Sequence, residues 1–222
     1  MNINSDFNES VFIDTNLLPW TKTNQAGVER KMLDRIGGEK ARATSLVRYK
    51  PNSSFYAHKH PKGEEILVIS GIFSDHSGDY TQGWYIRNPP GSQHAPNTKI
   101  GTTIFVKLCQ MTSAENDYVR INTLDPNSWH QEENISICPL YDDGSETTCL
   151  KKFQANTQIS INNKDTEILI LDGSIVTNGK VYKKGGWLRL VNGKHKVIQT
   201  GSNGCTLYLK VGKFKNTLQE DL

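Results

Sequence analysis

The chain has 222 residues, enough for one large domain or for two of roughly 100 residues each. Its 36% hydrophobic and 22% charged residues are ordinary for a globular protein, and a net charge of +3 with scattered lysines argues against nucleic-acid or membrane partners. There is no apolar run of about 18 residues, no apolar signal-peptide segment and no lipidation motif, so we expect a cytoplasmic protein without a transmembrane helix.

Short runs rich in β-branched and aromatic residues follow one another along the first half, separated by Gly, Asn, Asp or Pro. This pattern is typical of an all-β protein. The segment 23–36 is a helix candidate, but most of it is interpreted as strand. The predicted strands of this half are 43–50, 54–60, 64–75, 83–89 and 102–110.

The pattern resumes after a polar stretch near 112–130 and contains a repeat. EILVISG at 65–71 matches EILILDG at 167–173, which lies 102 residues later, and GWYIR at 83–87 matches GWLR at 186–189. Two matches in the same order predict two copies of one barrel, divided into residues 1–122 and 123–222. On this alignment Trp84 corresponds to Trp187 and Arg87 to Arg189, which indicates packing roles.

Four residues of the first half form a candidate metal site. His58 and His60 are two apart, so a strand points both to one face. A turn at 61–63 brings Glu64 back beside them, and a Pro-Pro-Gly turn at 89–91 precedes His94. One histidine in a strand is usually structural, whereas three neutral imidazoles and a carboxylate suit Zn²⁺, Fe²⁺, Mn²⁺, Ni²⁺ or Cu²⁺.

Glu65 is the alternative to Glu64, because neighbouring strand residues point to opposite faces. At the offset of 102, Glu65 corresponds to Glu167, while Glu64 corresponds to Thr166. His58 and His60 likewise correspond to Ser160 and Asn162, and Lys196 or its neighbour His195 takes the place of His94. Glu64 is thus lost together with the imidazoles, so we prefer it as the ligand and predict a metal-free second barrel.

The remaining candidates have weaker patterns. Tyr56 shares the face of His58 and is a candidate pocket residue and hydrogen-bond donor, or a half-buried strand tyrosine. His76 and Lys59 are expected in solvent. Four cysteines, at 109, 138, 149 and 205, form no C-x-x-C pair, and we expect Cys109 and Cys205 to be buried reduced thiols.

These motifs resemble the cupin superfamily. Its first motif, G-x5-H-x-H-x3,4-E-x6-G, matches at His58, His60, Glu64 and Gly71, with Asn52 in place of the leading Gly. Its second, G-x5-P-x-G-x2-H-x3-N, matches at Gly83, Pro89, Gly91 and His94, with Thr98 in place of the final Asn. More narrowly, residues 58–96 resemble the ChrR-like cupin domain of zinc-dependent anti-sigma factors.

The resemblance implies two tandem jelly-roll barrels (double-stranded β-helices) with one divalent metal, zinc first and iron, manganese or nickel as alternatives. It implies either a sensor or regulatory binding module for a small molecule, or a metal-dependent dioxygenase or related oxidoreductase, and it allows a homodimer. The residues indicate no general base, so catalytic residues and enzymatic activity stay undecided. ChrR-type regulators carry a His-x3-Cys-x2-Cys helical zinc domain that this sequence lacks, so sigma-factor binding is not carried over.

Overall fold

A computed structural model describes residues 1–38, 41–161, 164–192, 197–212 and 214. These residues form antiparallel strands, turns and two single-turn 3-10 helices, Thr15–Leu17 and Pro126–Ser128, with no α-helix among them. The all-β prediction is therefore confirmed. The described part of the chain contains no helix with the length and hydropathy of a membrane span.

The chain divides into two compact units. The first comprises Met1–Ser5 and Pro19–Leu124, and the second comprises Asp6–Leu18 and Asp125–Leu222. The second unit thus includes the N-terminal strand β1 (Val11–Asp14). The strands of the first unit are β2 (Thr21–Lys22), β3 (Val28–Ile36), β4 (Arg42–Tyr49), β5 (Ser53–Ser54), β6 (His58–Lys59), β7 (Glu64–Asp75), β8 (Gly78–Thr81), β9 (Trp84–Asn88), β10 (Gln93–His94), β11 (Asn97–Thr98), β12 (Thr102–Leu108) and β13 (Val119–Asn122).

The main sheet of the first unit has the path β13-β9-β7-β12-β4-β3-β2, and β6 pairs with β10 in a separate two-stranded sheet. Alternate residues of the main strands meet in an apolar interior, because side chains alternate between the two faces of a strand. Residues of four strands that share this interior include Tyr49, Ile66, Val68, Ile86 and Val106. The interior is therefore built from the period-two pattern visible in the sequence.

Two predicted segments of this unit have different outcomes. The interpretation of most of 23–36 as strand is confirmed, since Val28–Ile36 forms β3. The single strand predicted over 54–60 is wrong: two short strands, β5 and β6, lie there with residues 55–57 between them. Asn52, which replaces the leading Gly of the first motif, has the left-handed φ of 58° that such a turn requires.

The strands of the second unit are β14 (His130–Glu132), β15 (Ile135–Asp142), β16 (Thr147–Phe153), β17 (Gln158–Ser160), β18 (Asp165–Thr177), β19 (Lys180–Lys183), β20 (Gly186–Leu190) and β21 (Val197–Gly212). Their sheet has the path β1-β20-β18-β21-β16-β15-β14. Its interior is filled by apolar side chains that include Ile168, Ile170, Leu188 and Leu207. The second unit thus has an ordinary hydrophobic core.

The two units repeat the same hydrogen-bond geometry. The Gly83 amide donates to the Val68 carbonyl at 2.8 Å, and the Gly185 amide donates to the Ile170 carbonyl at 2.9 Å. The predicted equivalence of Trp84 and Trp187 is wrong. Trp187 pairs with Leu169, and in the first unit Tyr85 pairs with Leu67, so Trp187 corresponds to Tyr85. The equivalence of Arg87 and Arg189 is confirmed, because they pair with Glu65 and Glu167.

Gly173 tests the packing of the second unit. It has φ 72°, and a Cβ placed there would lie 2.1 Å from the Gly204 carbonyl oxygen, whereas Gly179 has φ 69° with no atom within 4 Å. We expect Gly179→Ala to lower the free energy of unfolding by about 1–2 kcal/mol, because alanine is strained in a left-handed backbone. Gly173→Ala should lower it by about 2 kcal/mol more, because its Cβ must also displace the Gly204 backbone. Chemical denaturation of both variants measures the difference, and equal losses would contradict the packing described.

Candidate functional site

The first element of the site is the antiparallel pair β6–β10. His94 lies directly opposite His58 in this ladder, and the pairing continues past β6 because the His60 amide donates to the Ser92 carbonyl at 2.9 Å. The Gly91 amide donates to the His60 carbonyl at 2.8 Å. Two turns and one short ladder therefore hold three imidazoles next to each other.

Glu64 comes from the main sheet, where it is the first residue of β7. One of its carboxylate oxygens, Oε2, lies 3.2 Å from His94 Nε2 and 3.5 Å from His60 Nε2. Glu65 points the other way, and its Oε2 accepts a hydrogen bond from Arg87 Nη1 at 3.0 Å. The structure thus brings Glu64, and not Glu65, to His60 and His94.

The three histidines have the donor arrangement of a metal site. One nitrogen from each of His58, His60 and His94 lies within 4.8 Å of the other two. His60 and His94 are each 4% exposed, and their Nε2 atoms make no hydrogen bond within the described structure. A buried polar atom without a partner is costly, so a cation that binds both nitrogens and the carboxylate oxygen fits this chemistry.

The outer ring nitrogens are held in place by the surrounding protein. Asp75 Oδ2 accepts a hydrogen bond from His94 Nδ1 at 3.1 Å, and the Tyr56 carbonyl accepts one from His58 Nδ1 at 2.8 Å. A carboxylate or carbonyl on the outer nitrogen fixes the tautomer and turns the other nitrogen toward a metal. Both histidines therefore direct Nε2 to the centre.

The protonation of the site follows from burial and from Glu64. Burial lowers the pKa of His60, and the attraction of the Glu64 charge is too weak to offset the effect of burial. This imidazole is therefore neutral and able to bind a metal. Burial also acts on His94, but its hydrogen bond to Asp75 and the Glu64 charge outweigh burial and raise its pKa. Burial acts to raise the pKa of Asp75, yet the hydrogen bonds from His94 and the Ser77 amide lower it.

A chain of polar contacts holds Glu64, and sequence analysis did not identify it. Asn88 lies opposite Glu64 in the β7–β9 ladder and donates from Nδ2 to Glu64 Oε2 at 3.1 Å. Arg120 in turn donates from Nη2 to Asn88 Oδ1 at 2.6 Å, and from Nε to the Tyr80 hydroxyl at 2.9 Å. The repeat does contain a signal for Asn88, because its counterpart opposite Thr166 is the apolar Leu190.

A cavity of about 420 Å³ opens onto His58, His60 and Glu64. Its volume lies in the range of small-molecule pockets. Tyr49 and Cys109 belong to its wall beside His58, His60 and Glu64. Burial and the Glu64 charge raise the pKa of Tyr49, so its phenol stays protonated at neutral pH.

Other predicted positions have mixed outcomes. Tyr56 is 80% exposed, so its predicted place in the pocket is wrong and it acts through its backbone carbonyl instead. Cys109 is half-buried and has a left-handed φ of 56° just beyond β12, so the prediction of a buried thiol holds for Cys205 and is wrong for Cys109. His76 and Lys59 are exposed, as predicted.

The described residues of the second unit contain no comparable donor cluster. Ser160 and Thr166 stand at the places of His58 and Glu64. Asn162, His195 and Lys196, which the repeat places at His60 and His94, lie outside the described residues. The prediction of a metal-free second barrel therefore stays a prediction.

Known proteins share the fold of the whole chain. The family model of the ChrR cupin-like domain matches residues 8–112, and no curated protein matches. One similar solved structure is a "putative dioxygenase" from Nostoc punctiforme, with a TM-score of 0.73 and 14% identity over 93% of this chain and 83% of that one. A pirin from Escherichia coli in complex with nickel(II) has a TM-score of 0.67 and 10% identity over 92% of this chain and 99% of that one. An 11S allergen from Cocos nucifera has a TM-score of 0.63 and 8% identity over 90% of each chain. At such identities they show the fold alone, and they confirm the predicted tandem cupin barrels.

The four cysteines differ in a way that thiol labelling measures. All are free, but Cys138, Cys149 and Cys205 are buried, and burial raises their pKa to about 11, 11 and 12. At pH 8 we expect iodoacetamide to modify native Cys109 first and the other three roughly 100-fold more slowly, because the thiolate is the nucleophile. Peptide mass spectrometry identifies the labelled site, and Cys109→Ser should abolish the fast reaction. Rapid labelling of the other cysteines would contradict their burial.

Proposed function

We propose that this chain, whose residues 8–112 match the family model of the ChrR cupin-like domain, holds one divalent metal ion and is a sensor or regulatory binding module. The ligands would be the imidazoles of His58, His60 and His94 and the carboxylate of Glu64. The observation that carries the proposal is the pair of buried Nε2 atoms, on His60 and His94, that face Glu64 without a hydrogen bond. A divalent cation would satisfy both nitrogens and the carboxylate together.

Zinc is the metal that this donor set favours. Three imidazoles and one carboxylate can complete a tetrahedral shell, and Zn²⁺ accepts both kinds of ligand in four-coordinate sites. Iron, manganese and nickel also bind such donors, but they prefer more ligands and would leave positions open for solvent or a small molecule. The nickel(II) complex of the pirin, a protein with the same fold, supports a divalent metal in general.

The cavity supports binding more than acid–base catalysis. The described wall contains one carboxylate, that of Glu64, and two imidazoles, those of His58 and His60. All three groups are assigned to the metal. Tyr49 is not an available base, because its raised pKa keeps the phenol protonated. A small molecule could enter and be recognised there, while the described wall offers no further carboxylate or imidazole as a general base.

A metal-dependent dioxygenase or related oxidoreductase is the second candidate function. The cavity favours it, because about 420 Å³ of space reaches the metal-binding side chains directly. The Nostoc punctiforme protein with the same fold, described as a "putative dioxygenase", is consistent with this alternative. A redox metal with open positions would supply oxygen chemistry when bound, and this chain's residues would orient the substrate.

Glu64 and Glu65 form a matched pair for testing the ligand set. We expect Glu64→Gln to weaken zinc binding by about 100-fold or more, because it removes a direct ligand and even an outer partner contributes up to about 100-fold. The stability of the apoprotein should change little. Glu65→Gln should leave zinc affinity unchanged but cost about 3 kcal/mol, because it leaves the buried Arg87 without one of its carboxylates. Competition with a chromophoric chelator and urea denaturation measure the two effects, and the reverse pattern would make Glu65 the ligand.

The coordination number distinguishes the two functions. For a binding module we expect elemental analysis of the isolated protein to give one zinc per chain, and X-ray absorption to give four nitrogen or oxygen neighbours at about 2.0–2.1 Å. Oxygen uptake with β-diketone and flavonol panels should then be absent. Iron with six neighbours, including exchangeable water, together with oxygen uptake would favour the oxidoreductase instead.

A further inference from the structure

A cationic wall in the cavity suggests which ligands it admits. Arg30 and Arg35 on β3 both line the cavity, and so does the exposed Lys59. Glu64 is the only acidic residue in the described lining, and it is assigned to the metal. With a divalent ion bound the cavity would carry a clear excess of positive charge, so it would attract anions.

A β-bulge explains why both arginines face inward although they are an odd number of residues apart. Arg30 pairs with Val47 and Arg35 pairs with Ala43, and the register shifts between Met32 and Asp34. The extra residue reverses the alternation of β3, so the side chain at 35 returns to the face of the side chain at 30. Val47 and Ala43 line the same cavity, which agrees with this reversal.

The charge of Arg30 is not neutralised within the described protein. Its side chain makes no salt bridge or hydrogen bond with another described residue, while Arg48 on the outer face is paired with Glu29 at 2.7 Å. Burial and the nearby Arg35 lower the pKa of Arg30, which shows that its charge is held at a cost. Arg35 donates to the Gly38 carbonyl, a neutral group that does not offset the guanidinium charge.

The part of the wall between the arginines and Glu64 is mostly apolar. Val47 on β4 and Ile104, Val106 and Leu108 on β12 cover the side of the cavity between the arginines and Glu64. Directly paired residues on four neighbouring strands lead from one arginine to the proposed metal ligand, in the order Arg35, Ala43, Leu108 and Glu64. Three strand spacings correspond to about 14 Å along the curved wall, enough for a small molecule with a hydrocarbon body.

We infer that the cavity binds a small organic carboxylate, with its apolar body on β4 and β12 and its carboxylate paired with Arg30 and Arg35. A guanidinium forms two parallel hydrogen bonds to a carboxylate, which a neutral amide cannot reproduce. The inferred ligand class rests on the proposed binding function, since it specifies the molecule that the module recognises. The arginine wall, however, does not depend on the metal.

The test compares acids with their amides in the full chain. Hexanoate and benzoate are titrated calorimetrically against hexanamide and benzamide, in zinc-loaded and in chelator-treated protein. We expect each acid to bind about tenfold or more tightly than its amide, and Arg30→Gln to remove most of that difference. Arg48→Gln makes the same charge change on the outer face of the sheet and should leave binding unchanged.

Labelling of Cys109 locates the bound acid, because this half-buried thiol lines the cavity. Hexanoate should slow its reaction with iodoacetamide in the wild type and not in Arg30→Gln. The inferred carboxylate site would be overturned if the acids bind no better than their amides. It would also be overturned if binding needs zinc and is unaffected by Arg30→Gln. Arg30-dependent binding in a protein that takes up no zinc would support it and would contradict the metal proposal alone.

Discussion

The antiparallel ladder between β6 and β10 is the constraint on which the site depends. It holds His58 opposite His94, and the hydrogen bonds of the His60 backbone to Ser92 and Gly91 extend it by one residue. Each of these strands has two residues, so the pairing is short and relies on the turns at both ends. Glu64 reaches the same point from the main sheet, where ladders on both sides fix its position.

Comparison of the two units shows that the polar site replaces hydrophobic packing in the first unit. In the second unit Thr166 lies opposite Leu190, and an apolar core fills the interior. The corresponding pair in the first unit is Glu64 and Asn88, with buried imidazoles nearby. Each buried polar atom left without a partner costs on the order of 1–3 kcal/mol, and a bound cation would remove that cost. The first unit thus gives up hydrophobic packing where the second keeps it.

Much of the fold was predictable from local sequence patterns. β7, with its run of apolar and β-branched residues, begins and ends at the predicted residues, and the repeat located its counterpart β18. The two copies also separated Glu64 from Glu65, since only the residue at 65 keeps its acidic counterpart. Such patterns succeed where one strand's alternation or a fixed motif spacing determines the structure.

The errors arose where pairing between distant strands decides the outcome. The letters of a short motif match Trp84 with Trp187, whereas the hydrogen-bonded register matches Tyr85 with Trp187. The inward direction of Arg35 depends on a bulge that single-strand alternation does not predict. Asp75 and Arg120 support the site from positions far along the chain, and the sequence contains no spacing that identifies them.

The most direct test of the metal centre is a crystal structure of the protein as isolated, with anomalous data collected on both sides of the zinc edge. The account predicts one anomalous peak in the first unit, within about 2.0–2.2 Å of the Nε2 atoms of His58, His60 and His94 and of a Glu64 oxygen. Side chains that point apart, or ordered water in place of an anomalous scatterer in zinc-supplemented crystals, would contradict it.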